Sequence, residues 1–172
     1  MVIEGRASGK LILFGEHAVV HGQPAIAVPL ESVQARVEVE ESPAGTGLSI
    51  LIPDLAQLLH VHLSDDTVDN ALTYTARLVL EALGMSEQTP DLKLILRSTI
   101  PMAAGFGSGA AVSTALARAL CGAMGKQLDH ETLNKLIFEV EKIHHGTPSG
   151  IDNTVIVYEE PIFYVKGQPF ET

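Results

Sequence analysis

Between residues 34 and 40 the apolar Ala35, Val37 and Val39 alternate with Gln34, Arg36, Glu38 and Glu40, the period of a strand with one wet face. Leu92, Leu94 and Leu96 alternate in the same way with Lys93, Ile95 and Arg97. Residues 1–6 and 10–14 are short apolar segments broken by Ser8-Gly9, which predicts two strands joined by a turn. Further extended segments are predicted at 24–30, at 48–52 after the turn Ser42-Pro-Ala-Gly-Thr-Gly47, and at 161–166.

Elsewhere the spacing lengthens to three and four. Val68, Ala71, Leu72, Thr75, Leu78, Val79, Ala82 and Leu83 lie on one helical face, with Asp65 and Asp66 ahead of them and Gly84 behind. A helix rich in small residues is predicted over 108–124, directly after a glycine-rich segment at 100–109. Asp129 is a credible N-cap for a third helix, whose stripe is Leu133, Leu136, Ile137, Val140 and His144 and which Gly146-Thr-Pro-Ser-Gly150 terminates. Neither a repeat nor a linker interrupts the pattern. Residues 1–172 therefore predict a single α+β domain, a mostly antiparallel sheet with helices on one side.

Composition narrows the function only a little. Of 172 residues 46% are hydrophobic and 19% charged, ordinary usage for a chain that buries a core. Eleven Lys and Arg against twenty-one Asp and Glu give a formal charge of −10, and basic residues interleaved with aromatics are absent, which argues against nucleic acid. A local cluster of N–H groups, lysine and a divalent cation still holds an anion against such a field. Cys121, the one cysteine, sits in an apolar helical pattern and reads as a buried thiol. With no long apolar run, neither a membrane span nor a secretion signal is predicted, and the expected location is cytoplasmic.

The segment Pro101-Met-Ala-Ala-Gly-Phe-Gly-Ser-Gly-Ala110 joins a predicted strand to a predicted helix. Free N–H groups and the positive end of the helix dipole converge at such a junction, which suits an anion. Glycines at 105, 107 and 109 open the backbone to a phosphate, and Ser108 adds a hydroxyl. No Lys-Ser or Lys-Thr pair follows, so this is not a Walker loop, and the glycine spacing is not the dinucleotide fingerprint. Taken alone, the segment is equally a turn that lets a helix pack close to a sheet.

It resembles the phosphate loop of the family named for galactokinase, homoserine kinase, mevalonate kinase and phosphomevalonate kinase, Pro followed by small residues and Gly-Leu-Gly-Ser-Ser-Ala. Phe106 and Gly109 depart from that pattern, and Gly109 stands where the family's magnesium-contacting serine is usual. A second resemblance lies upstream. By themselves Lys10, at the start of a strand, and His17 and His21, in a loop, are ordinary solvated residues, and His-x-x-x-His without a third ligand is poor zinc chemistry. Yet Gly15-Glu-His-Ala-Val-Val-His-Gly22, with Ser8-Gly-Lys10 before it, is similar to the first motif of mevalonate kinases. Glu141-x-x-x-His145 followed by Gly146-Thr-Pro-Ser-Gly-Ile-Asp152-Asn is similar to a third, with Thr147 and Ile151 as mild departures. Spacing alone makes Glu141 a surface glutamate and Asp152 a turn or cap aspartate.

The resemblance implies a layer like domain 2 of ribosomal protein S5. It also implies an ATP- and Mg²⁺-dependent kinase that phosphorylates mevalonate in isoprenoid precursor synthesis. By it, Asp152 is the catalytic base and Lys10 stabilises the attacking oxygen. Pro101, Ala104, Gly105, Phe106, Gly107, Ser108, Gly109 and Ala110 hold ATP; Glu141 and Ser108 hold magnesium; Glu16, His17, His21 and Ser149 face mevalonate. A homodimer is also implied. Family members carry a further, carboxy-terminal domain with another glycine-rich motif that these residues lack, so the chain is expected to be inactive alone. A sibling kinase for phosphomevalonate, a sugar or homoserine, and a non-catalytic nucleotide-binding fragment, are the competing readings.

Overall fold

The computed structural model describes residues 3–63, 70–85 and 87–172, apart from the His144 side chain. A single mixed sheet carries the fold. Its long axis is a hairpin of β1, Ile3–Phe14, and β2, Ala25–Glu41, paired antiparallel. The turn expected at Ser8-Gly9 does not form, and β1 runs straight through it. Ser8 pairs with Gln34 but Gly9 pairs with Leu30, so the irregularity is an excursion of β2 at 31–33. Gly9 permits this because its bare Cα faces Val33 and the Phe106 carbonyl, which a Cβ would meet at 3.0 and 3.3 Å. The segments expected at 24–30 and 34–40 are accordingly one strand.

The strand β3, Leu48–Ile52, turns through Pro53–Leu55 into β4, Gln57–Val61, an antiparallel pair at the sheet edge. β4 is not among the predicted strands, although Leu59, Val61 and Leu63 alternate with His60 and His62. The next strand, β5, Leu92–Ser98, inserts between β2 and β3, antiparallel to the first and parallel to the second. The order is β1-β2-β5-β3-β4, and β6, Ile162–Tyr164, pairs with Ala25–Ala27 at the start of β2. β6 is shorter than the strand predicted at 161–166.

Among the described residues, four α-helices cover the sheet. The first, α1, Ala71–Ala82, starts at Asn70, whose side chain accepts the Leu72 N–H at 2.8 Å. Met1, Asp65, Asp66 and Val68, used to predict a strand and this helix, lie outside the described residues. Helix α2, Ser108–Ala123, packs so closely on β1 that a Cβ at Gly5 would fall 2.1 Å from the Ala115 carbonyl oxygen. The run of alanines in α2, of which Ala110, Ala111, Ala115, Ala117 and Ala119 are fully buried, is what allows that approach. Helix α3, His130–His145, is capped by Asp129 as expected, its carboxylate accepting the Thr132 N–H at 2.8 Å.

Sequence reading missed α4, Ile151–Tyr158. Its residues Ile151, Thr154, Val155, Ile156 and Val157 are β-branched and buried, a composition that favours strand. Burial on every side gives it no amphipathic period, and packing against α2, α3 and β1 outweighs propensity. Among the described residues no helix is long and apolar enough to cross a membrane.

Candidate active site

The glycine-rich loop leaves β5 and enters α2 through Gly107, which has φ 70° and offers no side-chain cap. The first N–H groups of α2 therefore lack a side-chain partner and point out of the helix, where an anion finds both donors and a positive dipole end. The loop is latched to β1 by the Lys10 N–H, which donates to the Phe106 carbonyl at 3.0 Å. Gly107 lies against the Lys10 stem, where a Cβ would come within 2.9 Å of Cγ. A lysine side chain thus passes under a bare-backbone loop.

That lysine is 3% exposed, and its ammonium meets Asp152 at 2.8 Å. A cation taken this far out of water needs a compensating charge, and Asp152 supplies it from the first turn of α4. Glu141, on α3, is also 3% exposed. Its Oε1 has no hydrogen-bond partner, and its Oε2 lies 3.6 Å from His145. Burial first, and the neighbouring Asp152 second, push the Glu141 carboxyl up to about 7, while Lys10 pulls the other way. A buried carboxylate with an unanswered oxygen suits a cation.

Pro101, Ala104, Gly105, Phe106, Gly107, Ser108 and Gly109 line one side of a cleft of about 390 Å³, with Glu141, His145 and Asp152 on the other. Lys10 joins them through Asp152. Glu16 comes near, because a Cβ at Gly105 would sit 3.5 Å from its Oε1. His17 and His21 are exposed beyond the end of β1. Two expected residues sit elsewhere. Ala110 is fully buried in α2, so only its backbone can serve a ligand. Ser149 lines a neighbouring hollow with Asn153 and Tyr164.

The structure adds residues that the sequence did not single out. Asn153, 3% exposed, donates from Nδ2 to Asn134 Oδ1 at 2.6 Å and so ties α4 to α3 beside Asp152. A second cavity, about 460 Å³, opens beside the loop between Ile52, Leu55, Leu72, Leu96 and Val112, and shares Pro101, Met102 and Ser108 with the cleft. Clusters of three or more His, Cys, Asp or Glu able to hold a metal are absent among the described residues. Two carboxylates alone would leave most positions around a cation to other oxygens, as is usual for magnesium held with phosphates.

The family model "GHMP kinases N terminal domain" matches residues 70–160, from α1 through the loop to α4. The chain belongs to the GHMP kinases. A mevalonate kinase of Pyrococcus horikoshii is 33% identical over 94% of this GHMP kinase chain and 51% of its own length. The solved Methanococcus jannaschii mevalonate kinase superposes with a TM-score of 0.84 at 26% identity, covering all of this chain and 55% of that one. The L. major mevalonate kinase solved in complex with R-mevalonate gives 0.73 at 30% identity, covering 98% and 51%. This GHMP kinase chain spans about half the length of the curated relatives it matches. Its α+β layer, mostly antiparallel with helices, is the ribosomal protein S5 domain 2-like architecture of the family's amino-terminal domain.

Proposed function

We propose that the protein phosphorylates the primary hydroxyl of mevalonate with ATP. The observation that carries this reading is the Lys10–Asp152 pair at 2.8 Å, set at the mouth of an uncapped helix N-terminus beside the buried Glu141. A base, a fixed cation and a phosphate cradle in one cleft are what phosphoryl transfer requires, since its catalysis is mostly positioning and electrostatic stabilisation. The choice of mevalonate follows the relatives' names.

In this mechanism Gly105, Gly107 and Gly109 present backbone N–H groups to the phosphates. The apolar cavity between Ile52, Leu72 and Leu96 seats the purine base. Asp152 accepts the proton of the alcohol as its oxygen bonds to the γ-phosphorus and the bond to the β-phosphate oxygen breaks, releasing ADP. Lys10 holds the negative charge on the attacking oxygen, and its contact keeps Asp152 oriented. Glu141 and Ser108 would hold magnesium, which would supply positive charge against the phosphoryl group being transferred. Glu16, His17 and His21 line the acceptor side, and the protein works as a single amino-terminal domain together with the second half typical of its relatives.

A panel of mevalonate, phosphomevalonate, galactose and homoserine, read by ADP release, tests the substrate. Mevalonate is expected to give the highest kcat/KM by at least about tenfold, the margin that one well-made polar contact to the acceptor provides. A higher value for any other acceptor would move the protein to a sibling kinase, and silence of the protein as encoded with all four would leave a nucleotide-binding module.

A further inference from the structure

We propose that Tyr164 is a positioning residue for catalysis: its hydroxyl fixes the turn at 149–150 and thereby aims Asp152 at Lys10. The inference rests on the reading of Asp152 as the base. Tyr164 belongs to β6, which is held to the sheet through Ala25 of β2, three residues beyond the Gly15–Gly22 motif. From there its hydroxyl donates to the Ser149 carbonyl at 2.8 Å. Burial raises its ionisation range further, so it remains a donor at neutral pH.

The next residue, Gly150, shows that the fit is tight. It is the N-cap of α4 with φ 92°, and a Cβ there would sit 2.4 Å from the Tyr164 oxygen. Two residues further on, Asp152 meets Lys10. Within α4 the Thr154 hydroxyl donates to the Gly150 carbonyl at 2.6 Å, so a shift of the turn carries into the first helical turn. At the other end of α4, Arg118 bonds the Val157 carbonyl at 3.0 Å and Glu159 at 2.7 Å. The helix is thus pinned at both ends, and Tyr164 holds the end that bears the carboxylate. Misplacement of a reacting group by an ångström lowers turnover by up to about 100-fold.

Tyr164→Phe keeps the ring and removes the bond. It is tested by steady-state kinetics with mevalonate and by the solvent exchange of the Lys10 ammonium protons, which the Asp152 contact and 3% exposure protect. The expected result is kcat lowered about 10-fold or more with KM for ATP within about twofold, together with faster Lys10 exchange. An unchanged kcat with unchanged exchange, or equal losses in ATP binding and kcat, overturns the proposal. If the wild type turns over no acceptor, the kinase reading fails, and the exchange measurement still decides whether Tyr164 sets the Asp152–Lys10 contact.

Discussion

Glu141 is a liability to the empty protein. An acid whose folded-state titration is raised from 4.5 to about 7 binds a proton more tightly folded than unfolded. Its share of stability is therefore intact below about pH 4.5 and is lost as pH rises toward 7 and beyond. The difference amounts to ~3 kcal/mol at pH 8 in order of magnitude. Glu141→Gln is expected to recover most of that in the nucleotide-free protein, so that its denaturant midpoint stays level between pH 5 and pH 8 where the wild type declines. The same variant is expected to lose the magnesium dependence of nucleotide binding. A parallel decline in both proteins would show that the Glu141 environment is not responsible. Spacing put this residue on a helix border facing solvent. Its burial accompanies the packing of α3 against α4, which no local pattern in the sequence contains.

At the scale of elements, what was legible followed periodicity and caps, and what was not followed tertiary contacts. The strand 48–52, the α2 start at Ser108 and the Asp129 cap of α3 were all readable because each signal lies within a few residues. The β2 excursion at 31–33 and α4 were not, since Gly9 opposite that excursion is shaped by Val33 and the Phe106 carbonyl, and α4 is made a helix by its burial. Likewise α1 opens at Asn70, a cap the reading passed over in favour of Asp65 and Asp66. Asn70→Ala removes the acceptor for the Leu72 N–H and is expected to cost about 1 kcal/mol, seen as a lowered denaturant midpoint at unchanged slope. No loss of stability would mean that α1 starts elsewhere in solution.

For the molecule as a whole, the motif residues were nameable from sequence because their resemblance to a family preserves order and interval, while physics alone left each of them ordinary. The fold gives the reason for the intervals. β1 delivers Lys10, the β5-to-α2 crossing delivers the glycine loop, α3 delivers Glu141 and α4 delivers Asp152, four separate elements meeting at one end of the sheet. Leu11, Leu13, Ile26 and Phe163 stand exposed on strands β1, β2 and β6. The central claim is the proposal that Asp152 is the base of a phosphoryl transfer and that it serves the chemical step and not the binding of ATP. The most direct measurement is ATP-dependent phosphorylation of mevalonate by the protein as encoded, wild type against Asp152→Asn, with ATP affinity measured in parallel. Turnover lowered by at least about 1,000-fold, with ATP affinity within about threefold, is the predicted result. Turnover by Asp152→Asn equal to that of the wild type would contradict it.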